Sequence, residues 1–208
     1  MRVPVPRRSD PEIWAAVEQF RRRADIRPYA GVPVDVFAIM ELALGLDPVL
    51  FPSLYDKFRV DAAIMFDLTG VYLDKKAYKD FENGDRWEER RLRYSVAHEL
   101  GHYVLHESEI RASFFESIAD FKKWVGRQDD CDSAEYQAHE FAGCLLVPRD
   151  MLVRVYDEFC TLETRRNKDW RERPAARSEL AKKIAPRFGV NRQVIEVRFH
   201  RNGLWPAA

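Results

Sequence analysis

The 208-residue chain has three cysteines, Cys131, Cys144 and Cys160. The number is odd and no Cys-x-x-Cys pair occurs. Both facts argue against a disulfide framework and a zinc knuckle, and fit a reducing compartment. No apolar run approaches the ~18 residues that a membrane span requires. The opening MRVPVPRRSDPE is basic but has no apolar stretch behind it, so it does not read as a secretory leader. A cytoplasmic, soluble protein is expected. Net charge is absent as well: 34 lysines and arginines balance 34 aspartates and glutamates. Bulk charge therefore announces no nucleic-acid partner. Internal repeats and low-complexity tracts are also missing.

What is present is a heavily charged chain with enough apolar residues for a core, 33% and 46% respectively. The length fits one domain, or one with a small appendage. Ser9-Asp10-Pro11-Glu12 combines capping side chains, an early proline and an acid, and predicts a helix to about residue 24. A second helix is expected over residues 34–43, with Gly45 as its cap. DPVLF, AAIMFD and VYLDKK then read as short strands, the last two joined by a tight turn at Thr69-Gly70. From residue 83 onward helices dominate, over 115–125, 133–146, 149–159, 178–188 and 191–201. TRRNKDWRERPAAR between them looks like an exposed linker. The fold class is α+β, mainly helical, with a small antiparallel sheet over residues 48–76 packed on one long helix.

That long helix carries the chemistry. YSVAHELGHYVLH contains His98-Glu99-Leu100-Gly101-His102, a His-Glu-x-x-His pattern. At about 100° per residue, His98 and His102 lie about 40° apart and one turn from each other, so both imidazoles can reach one cation at ~2.0–2.1 Å. Glu99 stands beside them, placed to act as general base on a water. Four of the five histidines fall between positions 98 and 139. Leu92, Val96, Leu100 and Val104 supply an apolar face on the same helix. Gly101 would let another segment approach closely. A catalytic metal needs a third protein ligand. His106, two turns beyond His98 and rotated about 80° away, suits an outer supporting role better than direct ligation. SAEYQAHEFAGCLLVP offers Glu135 as the third ligand and His139 as a partner that orients a histidine. Glu140 and His139 itself are rivals for the third position.

RYSVAHELGHYVLH followed by EYQAHEFAGCLLVP resembles the ImmA/IrrE metallopeptidases, and VPVDVFAIMELALGL and LAKKIAPRFGVNRQVIEVRF resemble their flanking segments. The resemblance implies a zincin-like minimal peptidase domain over residues 28–160, with an N-terminal helix over 1–27. Residues 161–208 would form a linker and a helical pair resembling a helix-turn-helix. It further implies that His98, His102 and Glu135 hold a divalent metal, zinc first and manganese second, and that Glu99 is the base. His139 stands where the family has Asn or Asp, which makes it an alternative ligand beside His106. The oxyanion donor is open among Tyr72, Tyr78, Tyr94, Tyr103 and nearby arginines. The implied substrate is a protein partner, a helix-turn-helix transcriptional repressor in a stress-response or mobile-element pair.

Two other function classes compete. The C-terminal SELAKKIAPRFGVNRQVIEVRFHRNG has the outline of a helix-turn-helix, in which Arg192, Arg198, His200 and Arg201 would face phosphates. Direct nucleic-acid binding is not expected, because two short packed helices with solvated arginines explain the same pattern. The third class is a metal-bearing protein that sequesters a repressor without cutting it.

Overall fold

The computed structural model describes residues 3–84, 86–125 and 134–205. Its first helix, α1 (Asp10–Arg22), starts as the sequence predicts. The Glu12 carboxylate accepts from both the Ser9 backbone N–H and the Ser9 hydroxyl, each at 2.7 Å. Ile13, Val17 and Phe20 are its buried stripe. The second predicted helix is only one turn of α-helix, α2 (Val36–Ala38), continued by π-helical turns over Ile39–Ala43. Gly45 ends it in the left-handed region, where a side chain would be strained.

Three strands follow: β1 (Asp47–Phe51), β2 (Ala62–Ile64) and β3 (Gly70–Asp74). β2 and β3 form the expected antiparallel hairpin, but β1 pairs with β3 in parallel, in the order β1-β3-β2. The sheet is mixed rather than antiparallel throughout. The short helix α3 (Leu54–Phe58), with left-handed residues Ser53 and Arg59 at its ends, carries the chain across to the far side of β3. β2 therefore enters on the other edge, and β3 returns in the direction of β1. Gly70 opposes Asp47 in the parallel pair, where the Asp47 carbonyl leaves no room for a Cβ.

The remaining chain is helical: α4 (Lys75–Glu82), α5 (Arg86–Arg111), α6 (Ile118–Val125), α7 (Ala134–Leu146), α8 (Arg149–Arg166), α9 (Ala176–Phe188) and α10 (Arg192–Arg201). α5 is the spine. Leu92, Val96, Leu100 and Leu105 are buried along it, the sheet lies on one side and α7 crosses on the other. The crossing is close because Gly101 has no side chain. A Cβ there would lie 3.0 Å from both the Cα and the carbonyl oxygen of Ala138. The stretch expected to be an exposed linker is anchored instead. Trp170 is buried against Trp205, with ring centroids 5.8 Å apart, and donates its indole N–H to Thr164 Oγ1 at 3.0 Å.

A buried ion pair ties α7 to α10. Arg198 donates to Glu140 at 2.8 Å, with 3% and 5% side-chain exposure, and the same carboxylate oxygen accepts the Trp14 indole N–H from α1 at 2.6 Å. Arg201 donates to Asp10 at 2.6 Å. Arg198 therefore points into the protein rather than towards a phosphate backbone, unlike the helix-turn-helix reading of this segment. Among the described residues no helix is long and apolar enough to cross a membrane.

Two stability changes follow. Gly101→Ala gains roughly 1 kcal/mol of helix propensity but forces a methyl group against backbone, an overpacking cost of about 1–3 kcal/mol. The variant should melt below the wild type. Arg198→Met leaves the buried Glu140 carboxylate with only the Trp14 N–H and Arg201 at 3.8 Å, and should lose about 3 kcal/mol in urea denaturation, much of it regained in the double variant Glu140→Leu/Arg198→Met.

Candidate metal centre

α5 and α7 face each other where His98, Glu99, His102 and His106 meet Glu135, Gln137 and His139. The i,i+4 spacing brings His98 Nε2 and His102 Nε2 to 3.1 Å. From α7, Glu135 reaches across with one oxygen 3.1 Å from His98 Nε2 and the other 3.8 Å from His102 Nε2. Four ligands arranged tetrahedrally at ~2.0–2.1 Å stand roughly 3.4 Å from one another, so these three donors are spaced to share one small cation. His139 lies on the open side, its ring centroid 4.2 Å from that of His98. Donor atoms of His98, Glu135 and His139 all fall within 4.8 Å of one another. The two sets of three share His98 and Glu135 and differ in the third member. His102 is 2% exposed and His139 is exposed, so His102 forms the closed wall and His139 the rim. The residues fit a divalent cation.

The electrostatics agree with a ligand set. Burial alone pushes the Glu135 carboxyl up, but the neighbouring imidazoles of His102 and His98 outweigh it and hold the group well below the usual carboxylate range. It is an anion facing two imidazoles. The imidazole of His106 is fully enclosed, and burial, aided by neighbouring His102, draws its pKa down to about 3. It is neutral. His98 Nδ1 is buried with no hydrogen-bond partner among the described residues.

Glu99 lies on the same wall, 4% exposed, and accepts the backbone N–H of Ile64 on β2 at 2.7 Å. A cleft of about 260 Å³ opens over His98, Glu99, Glu135 and His139, bounded by Arg59, Asp61 and Tyr94. Of the tyrosines considered as oxyanion donors, Tyr94 is the one that lines this cleft. Its hydroxyl stands 3.5 Å from His139 Nδ1, and burial pushes its pKa up to about 12. Tyr72 packs edge-on against Phe51 and Tyr78 packs against Phe81, both away from the cleft. Glu140, a rival for the third ligand, is turned to the opposite side of α7 by Arg198 and Trp14.

The sequence reading did not single out Gln137, which is fully buried and stands 3.2 Å from His106 Nε2. Its signal was an amide among the apolar residues Ala134, Ala138 and Phe141 on one face of α7. The contact of Glu99 with a strand backbone had no sequence signal, since any residue at position 64 offers an N–H.

A search of curated proteins returned no match. The family model described as the IrrE N-terminal-like domain, peptidase family M78, matches residues 84–200, which include both motif segments and the whole facing pair of helices. That match covers more than half of the chain, which therefore belongs to the ImmA/IrrE family of metallopeptidases.

Proposed function

We propose that the protein is a metal-dependent endopeptidase with His98, His102 and Glu135 as metal ligands and Glu99 as general base. The observation that carries this reading is the convergence of three donors at 3.1–3.8 Å from two helices, with the buried Glu99 carboxylate on the same wall. Zinc suits two imidazoles and a carboxylate, and manganese is the alternative. His139 on the rim is either a fourth ligand or the group that orients His98. The bound cation supplies Lewis acidity at the scissile carbonyl. Glu99 takes the proton from the attacking water and returns it to the leaving amine. Its position is set by the Ile64 N–H, which fixes one carboxylate oxygen, and the residue lines the cleft. The Tyr94 hydroxyl, kept protonated by burial, is a donor for the developing oxyanion.

The substrate is a protein segment in extended conformation. β2 is one of the two outer strands of the sheet. Asp61 and Met65 make ladder bonds to β3, so the backbone groups of Ala62 and Ile64 face the other way; the Ile64 N–H is taken by Glu99, which leaves those of Ala62, a residue that lines the cleft. A strand could add there. We place the partner, a helix-turn-helix transcriptional repressor of a stress-response or mobile-element pair, in the same reducing, cytoplasmic setting that the free Cys144 and Cys160 suit.

Elemental analysis should find about one metal per chain, lost in His98→Ala and in Glu135→Ala. Retention of metal in Glu135→Ala would move the third ligand to His139. Glu99→Gln should keep metal and partner binding while turnover falls by roughly 10²–10⁴-fold. Unchanged output in that variant would mean sequestration rather than cleavage. Mass spectrometry of the cut partner should place the break in a flexible linker, and cuts confined to rigid helices would exclude strand pairing.

A further inference from the structure

The chain begins, ahead of α1, with an arm that lies outside the segment matched by the family model. The Val3 N–H donates to Ser113 Oγ at 2.9 Å, and the Val3 carbonyl accepts the Trp124 indole N–H at 3.1 Å. Val5 is buried in the core. The arm is thus tied to the segment just past α5 and to α6, and its next residues reach Gln137 on α7. Gln137 Nε2 donates to the Pro6 carbonyl at 3.0 Å, while Gln137 Oε1 accepts from Arg8 Nη1 at 3.2 Å.

These two partners leave the amide one orientation. A proline carbonyl only accepts and a guanidinium only donates, so Nε2 must face Pro6 and Oε1 must face Arg8. Oε1 is also the atom 3.2 Å from His106 Nε2. An acceptor there requires that His106 carry its proton on Nε2. A neutral imidazole has one N–H, so His106 Nδ1 is an acceptor. His102 Nδ1, 3.1 Å away, must then be the donor. A ligating imidazole carries one N–H; with that proton on Nδ1, the nitrogen left for a cation is His102 Nε2, the one beside Glu135 and His98. Reversing either ring would set two donors or two acceptors face to face in a dry interior.

We propose that the N-terminal arm is a positioning element of the metal centre: through Gln137 and His106 it holds His102 in the tautomer that can ligate. This rests on the reading of His102 as a ligand. Metal-bound histidines elsewhere donate their second N–H to a carboxylate, a carbonyl or water, and loss of that partner typically costs 10–100-fold in affinity. Here the partner is a second histidine, whose own state is set by a backbone carbonyl and a guanidinium at positions 6 and 8. Gln137 and Arg8 are positioning residues, since neither reaches the cation.

The test uses the full chain loaded with Zn²⁺. Long-range ¹H–¹⁵N histidine spectra should show His106 protonated on Nε2 and His102 on Nδ1. Zinc affinity, measured by competition with a chromophoric chelator, should fall about 10-fold or more in Gln137→Leu. A smaller loss is expected in Arg8→Ala. Gln137→Glu keeps an acceptor towards His106 but sets a second one against the Pro6 carbonyl, so it should recover only part of the affinity. His106 protonated on Nδ1 in the wild type would overturn the proposal. So would wild-type affinity in both Gln137→Leu and Arg8→Ala, even if the zinc-free proteins melt lower, because the arm would then serve stability alone. If Gln137→Leu does not fold, the wild-type spectrum and Arg8→Ala decide. A wild-type chain that binds no zinc would overturn the ligand assignment itself, a failure distinct from zinc binding that ignores the arm.

Discussion

The close approach of α5 and α7 at Gly101 is the constraint on which the site depends. Two helices with ordinary side chains at their crossing stand 8–10 Å apart. Here a glycine faces the Cα and carbonyl of Ala138, which would be only 3.0 Å from a Cβ. The glutamate that must reach His98 and His102 is less than one turn before Ala138 on α7. A wider crossing would withdraw Glu135 from imidazoles now 3.1 and 3.8 Å away. The glycine between the two site histidines is therefore as much a part of the site geometry as the histidines themselves.

α7 is polar on two sides for two different reasons. Towards α5, Glu135 and His139 stand at one edge of the contact, by His98, and Gln137 at the other, by His106. The other side presents Glu140 to Arg198 and Trp14, a pair with almost no exposure that fastens α10 and α1 to the same helix. A buried ion pair adds little net stability compared with an apolar substitute, but it tolerates few alternative alignments. Its position one residue after His139 fixes the rotation of α7 about its axis, and hence the direction in which Glu135 points.

The parts of this protein governed by local periodicity were legible in the sequence. The Ser9–Glu12 helix start, the long helix with its two histidines one turn apart, and the β2–β3 hairpin all follow from spacing and capping chemistry. Pairing over distance was not legible. Nothing in DPVLF distinguishes a parallel from an antiparallel partner, because the choice was made by the left-handed turns around α3. The charged run around Trp170 has the composition of a solvated linker, yet one indole finds Trp205 and pins it. Arg198 looked like a residue for a nucleic-acid backbone because its partner, Glu140, lies 58 residues earlier. The carboxylate proposed as ligand was nameable only among rivals, and packing separated Glu135 from Glu140, which is held by Arg198 and Trp14 away from the two imidazoles.

The bond between Glu99 and the Ile64 N–H joins two structural periods that are otherwise independent. Successive residues of a strand point their backbone groups to opposite edges, so a slip of β2 by one position along β3 would turn an N–H away from α5 and present none at that point. The hairpin turn, where the Asp67 carboxylate accepts from the N–H and the hydroxyl of Thr69 at 3.2 and 2.8 Å, is what forbids the slip. Strand registry and the aim of an acid on a neighbouring helix are thereby a single variable, set at the turn that joins the two strands.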